Sequence, residues 1–166
     1  MKDTGILVIK QILERCKMDI VIRQATVQDC NAIQELNTVE MGYIYTYKKT
    51  FERLQHLLND NTHRIFVAEV NAEVNAEVVA YIHCNSHELL YHDPLTNIMG
   101  IAVSKGYKRM GIGRLLLQRV ETWASDSGSA GVRLASGENR TEAHLFYQSC
   151  GYQSKKNQKY FTKLFS

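Results

Sequence analysis

Two glycines separated by one residue lie among cationic side chains at the start of an apolar helical segment. Residues 104–117 are SKGYKRMGIGRLLL, with the glycines at Gly111 and Gly113. The first backbone N–H groups of a helix have no partner within it, and the helix dipole adds partial positive charge there. Glycine has no Cβ, so an anion can approach these groups closely. The stretch therefore predicts a site for a phosphate or pyrophosphate. The surrounding cations are Lys105, Lys108, Arg109 and Arg114.

This stretch differs from two familiar nucleotide-binding motifs. No Gly-Lys-Ser/Thr follows the glycines, so it is not a P-loop. Leu116 stands where the dinucleotide-binding fingerprint has its third glycine. A tight turn between a strand and a helix, with solvated cations, explains the glycines equally well. Both interpretations stay open on these residues alone.

Composition limits the class of protein. A chain of 166 residues with 45% hydrophobic residues is typical of one soluble globular domain. A formal charge of +3 disfavours a dedicated nucleic-acid binder. No stretch approaches the roughly 20 apolar residues of a membrane helix. The scattered cysteines, without a CxxC pair, favour a reducing cytosol over a disulfide framework. They are Cys16, Cys30, Cys84 and Cys150.

Strand and helix patterns alternate along the chain, which predicts an α/β or α+β fold with a mixed sheet. Residues 1–17 are expected to be an N-terminal extension and residues 18–166 the domain. An added helix that packs on the domain is the alternative for the extension. The predicted strands are 19–26, two within 65–84, 96–104, 131–137 and 159–165. The predicted helices are 26–39, 43–59, 114–128 and 141–151. A polar connection is expected over 85–95.

The one internal repeat is VNAE, present twice over residues 70–77. Its valines and alanines alternate with asparagines and glutamates, which is the period-2 pattern of a strand with one apolar face. The repeat predicts a lengthened hairpin with its turn at Asn71 or Asn75. It carries no evident chemistry.

The order of two further motifs resembles the GNAT superfamily of acetyl-CoA-dependent N-acetyltransferases. KRMGIG at 108–113 corresponds to the family signature [QR]-x-x-G-x-[GA], with lysine in the first position. Ala143, Tyr147, Gly151 and Tyr152 match a later A-x-x-x-Y-x-x-x-G-[FY] helix. The resemblance covers residues 19–165. It implies a mixed, mostly antiparallel sheet flanked by helices, with splayed fourth and fifth strands.

By this resemblance, acetyl-CoA lies between the splayed strands as the cosubstrate, and Gly100 marks a bulge that opens them. The backbone of the fourth strand pairs with the pantetheine arm, and an N–H near Val103 polarises the thioester carbonyl. The family often has asparagine where this chain has Arg140, which leaves open whether Asn139 or Arg140 contacts the cofactor. The expected cofactor-binding residues are Ile101, Ala102, Val103, Lys108, Arg109, Met110, Gly111, Ile112, Gly113, Arg114, Asn139, Ala143 and Phe146.

Tyr147 is the expected general acid for the departing thiolate, because its reference pKa of about 10 lies near that of a thiol. A packing role at helical core spacing is the alternative for Tyr147.

The general base is less defined than the general acid. Family members often carry a carboxylate near the positions of Met99 and Gly100, and this chain has none there. Glu88 and His92 are the candidates in our assignment; His83, Asp93, ordered water and capture of an already neutral amine stay open.

The spacing of His83, His87 and His92 matches no standard metal pattern, so no metal is expected. Residues 38–60 and 83–95 are expected to border the acceptor. There, tyrosines and acids could hold a cationic amine. The expected acceptor is a primary amine of a small molecule; a protein or peptide amine and a non-catalytic acyl-CoA-binding module are the alternatives. The family also allows a homodimer. The acceptor-side residues are Glu40, Tyr43, Tyr45, Tyr47 and Glu88.

Overall fold

The computed structural model describes residues 19–71 and 75–165. The chain divides into two compact units, with the boundary between Leu134 and Ala135. Within the described ranges, no helix combines the length and apolar character that crossing a membrane requires. The predicted extension, residues 1–17, lies outside the described residues.

The first unit is a five-stranded sheet with helices on both faces. Its elements are β1 (Asp19–Gln24), α1 (Cys30–Val39), α2 (Tyr47–Leu58), β2 (His63–Asn71), β3 (Ala76–Leu89), β4 (His92–Val103), α3 (Ile112–Asp126) and β5 (Val132–Leu134). The strands follow one another across the sheet in chain order. Pairing is antiparallel except between β4 and β5, which are parallel. This confirms the predicted mixed, mostly antiparallel sheet.

Alternating side chains of β2 pack against the two layers of helices, one on each face of the sheet. Ile65 and Val67 belong to a buried cluster that also contains residues of α1 and α2, such as Ile33. Phe66, between them, points to the opposite face. There the Arg119 guanidinium of α3 lies over its ring, 4.6 Å from the centroid. The apolar stripe of α3 is buried through Ile112, Leu116, Leu117, Val120 and Ala124.

The hairpin predicted from the repeated VNAE is confirmed as β2–β3, although residues 72–74 of the connection lie outside the described residues. The prediction that the repeat forms one apolar face of the hairpin is wrong. The chain reverses within the repeat, so Val70 lies directly opposite Glu77. A register shift beside Ala68 then restores the pairing of Ala68 with Ala80.

The polar connection expected over 85–95 is also wrong. β3 continues to Leu89 and β4 begins at His92, so these residues form the outer end of a long hairpin. Asn85 pairs with Asn97 and His87 with Leu95. Polar side chains suit this end because much of the hairpin there is open to solvent.

The second unit contains α4 (Thr141–Ser149), as the sequence predicts. The strand expected over 159–165 is wrong, since the chain has no regular structure there. Its apolar side chains, such as Phe161 and Phe165, are almost fully exposed. The aromatic side chains of this segment favour a strand, but a strand forms only where a neighbour supplies backbone partners.

An arginine held by two carboxylates fixes the start of the first unit. Arg23 on β1 bonds Asp29 at 2.8 Å and Glu69 of β2 at 2.7 Å. The Asp29 carboxylate also accepts the Thr26 backbone N–H at 2.7 Å, at the entrance to α1. Burial alone would raise the pKa of Asp29, but the bonds from Arg23 and Thr26 outweigh it and keep the pKa below its ordinary value. The network therefore joins two strands and a helix start around one cation.

We expect Arg23→Met to lower the free energy of unfolding by about 2–3 kcal/mol, because it leaves buried Asp29 without its cation. Urea unfolding near neutral pH measures the change. Lys48→Met is the control, since Lys48 and Glu52 form an exposed pair at 4.0 Å, of a kind that contributes about 0–1 kcal/mol. Equal losses in the two variants would contradict a structural role for the Arg23 network.

Candidate active site

β4 is paired on both edges for only three residues. β5 pairs with it at Thr96, Asn97 and Ile98. On the β3 side, His83 pairs with Gly100 and Cys84 with Ile98, so Met99 is the extra residue of a bulge. This confirms the bulge expected at Gly100. The splay of the fourth and fifth strands stays a prediction, because the pairing ends at Leu134, where β5 itself ends. Among the described strands, none pairs with the β5-side edge of β4 beyond Ile98.

The predicted cofactor residues of β4 lie along this unpaired stretch. Ile101, Ala102 and Val103 pair with β3 on their other side, opposite Ile82, Tyr81 and Ala80. Ala102 is buried and its two neighbours are partly buried. A strand with one open edge can hydrogen-bond an extended ligand as if the ligand were a further strand.

The glycine-containing loop leads directly from β4 into α3. Gly111 is the N-cap of α3 and has the left-handed φ of +82°. Arg109 has a φ of +64°, which is uncommon for a residue with a Cβ. The structure therefore places Gly111, Ile112, Gly113 and Arg114 at the N-terminal end of the helix, as predicted. Lys108, Arg109 and Met110 precede it in the loop.

Glu40, at the C-terminal end of α1, holds this loop. Its carboxylate lies 2.6 Å from Lys108 Nζ and accepts the Lys105 backbone N–H at 2.7 Å. Lys108 is the first cause of a lowered pKa at Glu40. The sequence did not indicate this contact, because the residues it joins are 65 and 68 positions apart. The acid that we expected on the acceptor side instead contacts the predicted phosphate loop.

A cavity of about 440 Å³ lies beside the bulge. Its walls come from the end of α1, the segment 42–45, β3 and β4. The lining residues are Asn37, Met41, Gly42, Tyr43, Ile44, Tyr45, Tyr81, His83, Met99 and Gly100. Of the expected acceptor-side residues, Tyr43 and Tyr45 line this cavity, whereas Tyr47, Glu40 and Glu88 are outside its lining.

Two of the lining residues are fixed from within the fold. The Tyr81 hydroxyl donates to Asn37 Oδ1 and lies 3.5 Å from Met41 Sδ. Burial raises the pKa of Tyr81 to about 12. His83 Nε2 lies 2.9 Å from His63 Nδ1, and burial lowers the pKa of His83 to about 4. Both side chains are therefore uncharged at neutral pH.

The two candidate bases lie at the outer end of the β3–β4 hairpin, and neither lines the cavity. Glu88 is five residues beyond His83 on β3, which corresponds to roughly 17 Å along a strand. His92 is at the first position of β4 and is exposed. Its Nδ1 lies 2.6 Å from the Asp93 carbonyl oxygen. The structure does not bring them together with the bulge.

The remaining predicted residues belong to the second unit. Tyr147, Ala143 and Phe146 are partly buried on α4, and Asn139 precedes the helix in an exposed turn. Burial is the first cause of a raised pKa at Tyr147. The Tyr147 phenol is thus protonated at neutral pH. Arg140 is the N-cap of α4, where its backbone N–H bonds the Gly137 carbonyl oxygen at 3.0 Å.

Comparisons with known proteins agree on one family. The acetyltransferase (GNAT) family profile matches residues 30–152. An aminoglycoside N(6')-acetyltransferase type 1 of Stenotrophomonas maltophilia is 26% identical over 148 residues, covering 84% of this chain and 90% of the relative.

Two solved structures have the same fold. A transcriptional regulator from Bacillus halodurans C-125 gives a TM-score of 0.78 at 18% identity, covering 87% of this chain and 100% of its own. The aminoglycoside N-acetyltransferase AAC(6')-Iy, solved in complex with CoA, gives a TM-score of 0.78 at 14% identity, covering 88% of this chain and 95% of its own.

We expect Glu40→Gln to lower the free energy of unfolding by about 0.5–1 kcal/mol near neutral pH, because the ion pair with half-exposed Lys108 is lost. The folded-state pKa of Glu40 lies below its ordinary value of 4.5. The contribution is therefore complete above that pH and disappears as the pH falls through the folded-state pKa. Urea unfolding of the wild type and the variant in low salt, once near neutral pH and once well below pH 4.5, measures this. If the difference in unfolding free energy between wild type and Glu40→Gln grew in acid, the result would contradict the ion pair. Glu52→Gln, which removes an exposed carboxylate, is the control.

Proposed function

Because the chain belongs to the acetyltransferase (GNAT) family, we propose that it transfers the acetyl group of acetyl-CoA directly to a primary amine of a small molecule. It is an acyltransferase, and the relatives named as aminoglycoside N-acetyltransferases transfer an acetyl group to an amine. The proposal of acetyl transfer to a small-molecule amine rests on three features of the first unit that follow one another around β4. They are an open strand edge, the N-terminal end of a helix and a cavity beside a bulge.

The residues present fit acetyl-CoA. The N-terminal end of α3 offers N–H donors and partial positive charge to a pyrophosphate. Gly111 leaves open space, since a Cβ built there would meet nothing within 4 Å. Lys108 lies in the loop before this helix end, but its ammonium group is already bonded to Glu40. The open edge of Ile101–Val103 suits the amide-containing pantetheine arm. When bound, acetyl-CoA supplies an activated acetyl thioester.

The reaction exchanges one bond for another. The amine nitrogen forms a C–N bond to the acetyl carbon, the C–S bond of the thioester breaks, and one proton passes from nitrogen to sulfur. An N–H near Val103 polarises the carbonyl as it gains negative charge. In our proposal Tyr147 donates the proton to the thiolate, since its phenol is protonated at neutral pH.

The amine must lose its own proton before it attacks. His83 lines the cavity, but a pKa of about 4 makes it a weak base at neutral pH. Glu88 and His92 stay the named candidates, from the outer end of the hairpin. Ordered water, or binding of the neutral fraction of the amine, performs the same step without a side chain.

A non-catalytic acyl-CoA-binding module is the second candidate. Met99 and Gly100 stand where family members often have a carboxylate, and this favours it. Such a module would bind acetyl-CoA without releasing CoA thiol in the presence of any amine.

We expect Gly111→Glu to weaken acetyl-CoA binding about 100-fold or more, because like charges would meet at the pyrophosphate. Calorimetric titration with acetyl-CoA and CoA measures this. Gly128→Glu is the matched control: Gly128 has a φ of +77° and equally open space, but follows the other end of the same helix. Equal losses in both variants would indicate backbone strain instead of a phosphate site. Wild-type protein that ignores both ligands would remove the basis of the proposal.

For Tyr147→Phe we expect kcat to fall about 10²- to 10⁴-fold, the usual contribution of a general acid. The Kd of acetyl-CoA should stay nearly unchanged. Thiol release and calorimetry give the two quantities. Tyr160→Phe is the control, since Tyr160 is 89% exposed. Retention of kcat in Tyr147→Phe would assign Tyr147 a packing role.

A further inference from the structure

We propose that the cavity beside the β4 bulge binds a monoamine with an aromatic or apolar body, and that it disfavours polycationic amines. This inference rests on the proposed function and specifies its acceptor. It follows from the chemistry of the cavity walls, from the way those walls are held, and from the charges nearby.

The walls are aromatic and apolar. Three tyrosines contribute rings, together with two methionines and one isoleucine, and two glycines leave room between them. Several of these large side chains are open to solvent: Tyr43 at 64%, Ile44 at 92%, Tyr45 at 46% and Met99 at 56%. Large apolar side chains grouped at an open surface are typical of a binding groove. Flat rings would stack on the tyrosines, and methionine adapts to irregular shapes.

The wall formed by residues 42–45 is held to α1 before any ligand binds. The Tyr43 backbone N–H bonds the Asn37 carbonyl oxygen at 2.9 Å. The Tyr45 carbonyl oxygen accepts from Gln34 Nε2 at 3.0 Å. Gly42, between the end of α1 and Tyr43, permits the reversal of the chain with a φ of +77°. A fixed wall reduces the entropy lost on binding, which favours a ligand of matching shape.

No residue that lines this cavity is a carboxylate. Tyr81 and His83 are uncharged at neutral pH because burial disfavours their charged forms. The neighbouring acid, Glu40, is already bonded to Lys108 and the Lys105 N–H. A ligand with several ammonium groups would thus lose hydration without gaining a counter-charge.

A cation already occupies one aromatic face. Lys49 Nζ lies 5.8 Å from the centroid of the Tyr45 ring. A second positive group at that ring would meet like-charge repulsion. The single amine that reacts can enter in its neutral form, whereas the further ammonium groups of a polycation stay charged. The relatives named as aminoglycoside acetyltransferases act on molecules of the disfavoured kind, so this chain differs from them in the inferred acceptor.

The test compares amines on the wild-type enzyme. With acetyl-CoA fixed, thiol release is measured for phenethylamine, spermidine and kanamycin, and binding of each amine alone is measured by calorimetry. We expect kcat/KM for phenethylamine to exceed both others at least about tenfold. Preference for spermidine or kanamycin would overturn the inference and leave the acetyltransferase intact. Failure of acetyl-CoA to bind would overturn the proposed function instead, and calorimetry with the amines would still decide the cavity's preference.

Two matched pairs of variants locate the preference. Tyr43→Ser should lower kcat/KM for phenethylamine about tenfold, whereas Tyr160→Ser, in the exposed C-terminal segment, should not. Met99→Glu should shift the ratio of phenethylamine to spermidine about tenfold toward spermidine, and Met99→Gln should not. An unchanged ratio in Met99→Glu, with folding verified by circular dichroism, would place the acceptor elsewhere and overturn the inference.

Discussion

The surfaces around β4 depend on the point at which its pairing with the last strand of the sheet, β5, ends. As far as Ile98, β4 has hydrogen-bonded neighbours on both sides. Beyond it, after the Met99 bulge, β3 is the one described strand that pairs with β4 as far as Val103. Backbone groups that a closed sheet would use internally become available to a ligand. β3 still pairs with this part of β4 on its other side, which holds the open edge in place.

Charge in the first unit is used mainly to hold the fold. Arg23 is shared by Asp29 and Glu69, and Glu40 is shared by Lys108 and a backbone N–H. These bonds fix the entry of α1 and the loop before α3. None of the residues that line the cavity beside the bulge is a carboxylate, a lysine or an arginine. In our proposal, specificity there rests on shape and aromatic contact.

Local patterns predicted much of the fold but not the contacts between distant residues. The stripe of α3 and the Gly-x-Gly at its start were readable because helix periodicity and glycine geometry are local properties. The Gly100 bulge came from the family resemblance. The outer hairpin was missed because solvent-exposed strands resemble loops in composition. The strand over 159–165 failed for the opposite reason: its aromatic residues favour a strand, but the chain forms none there. Glu40 and the Tyr81–Asn37 bond join residues 40 or more positions apart, which periodicity cannot locate.

α3 is bounded at both ends by glycines in the left-handed conformation, Gly111 before it and Gly128 after it. No side chain caps its first turn. The limits of the helix are therefore set by backbone stereochemistry. Its exposed positions are free to vary during evolution without displacing the helix along the sheet. The number of residues between the two glycines, in contrast, should resist insertion and deletion, because one added residue would rotate the buried stripe by about 100°.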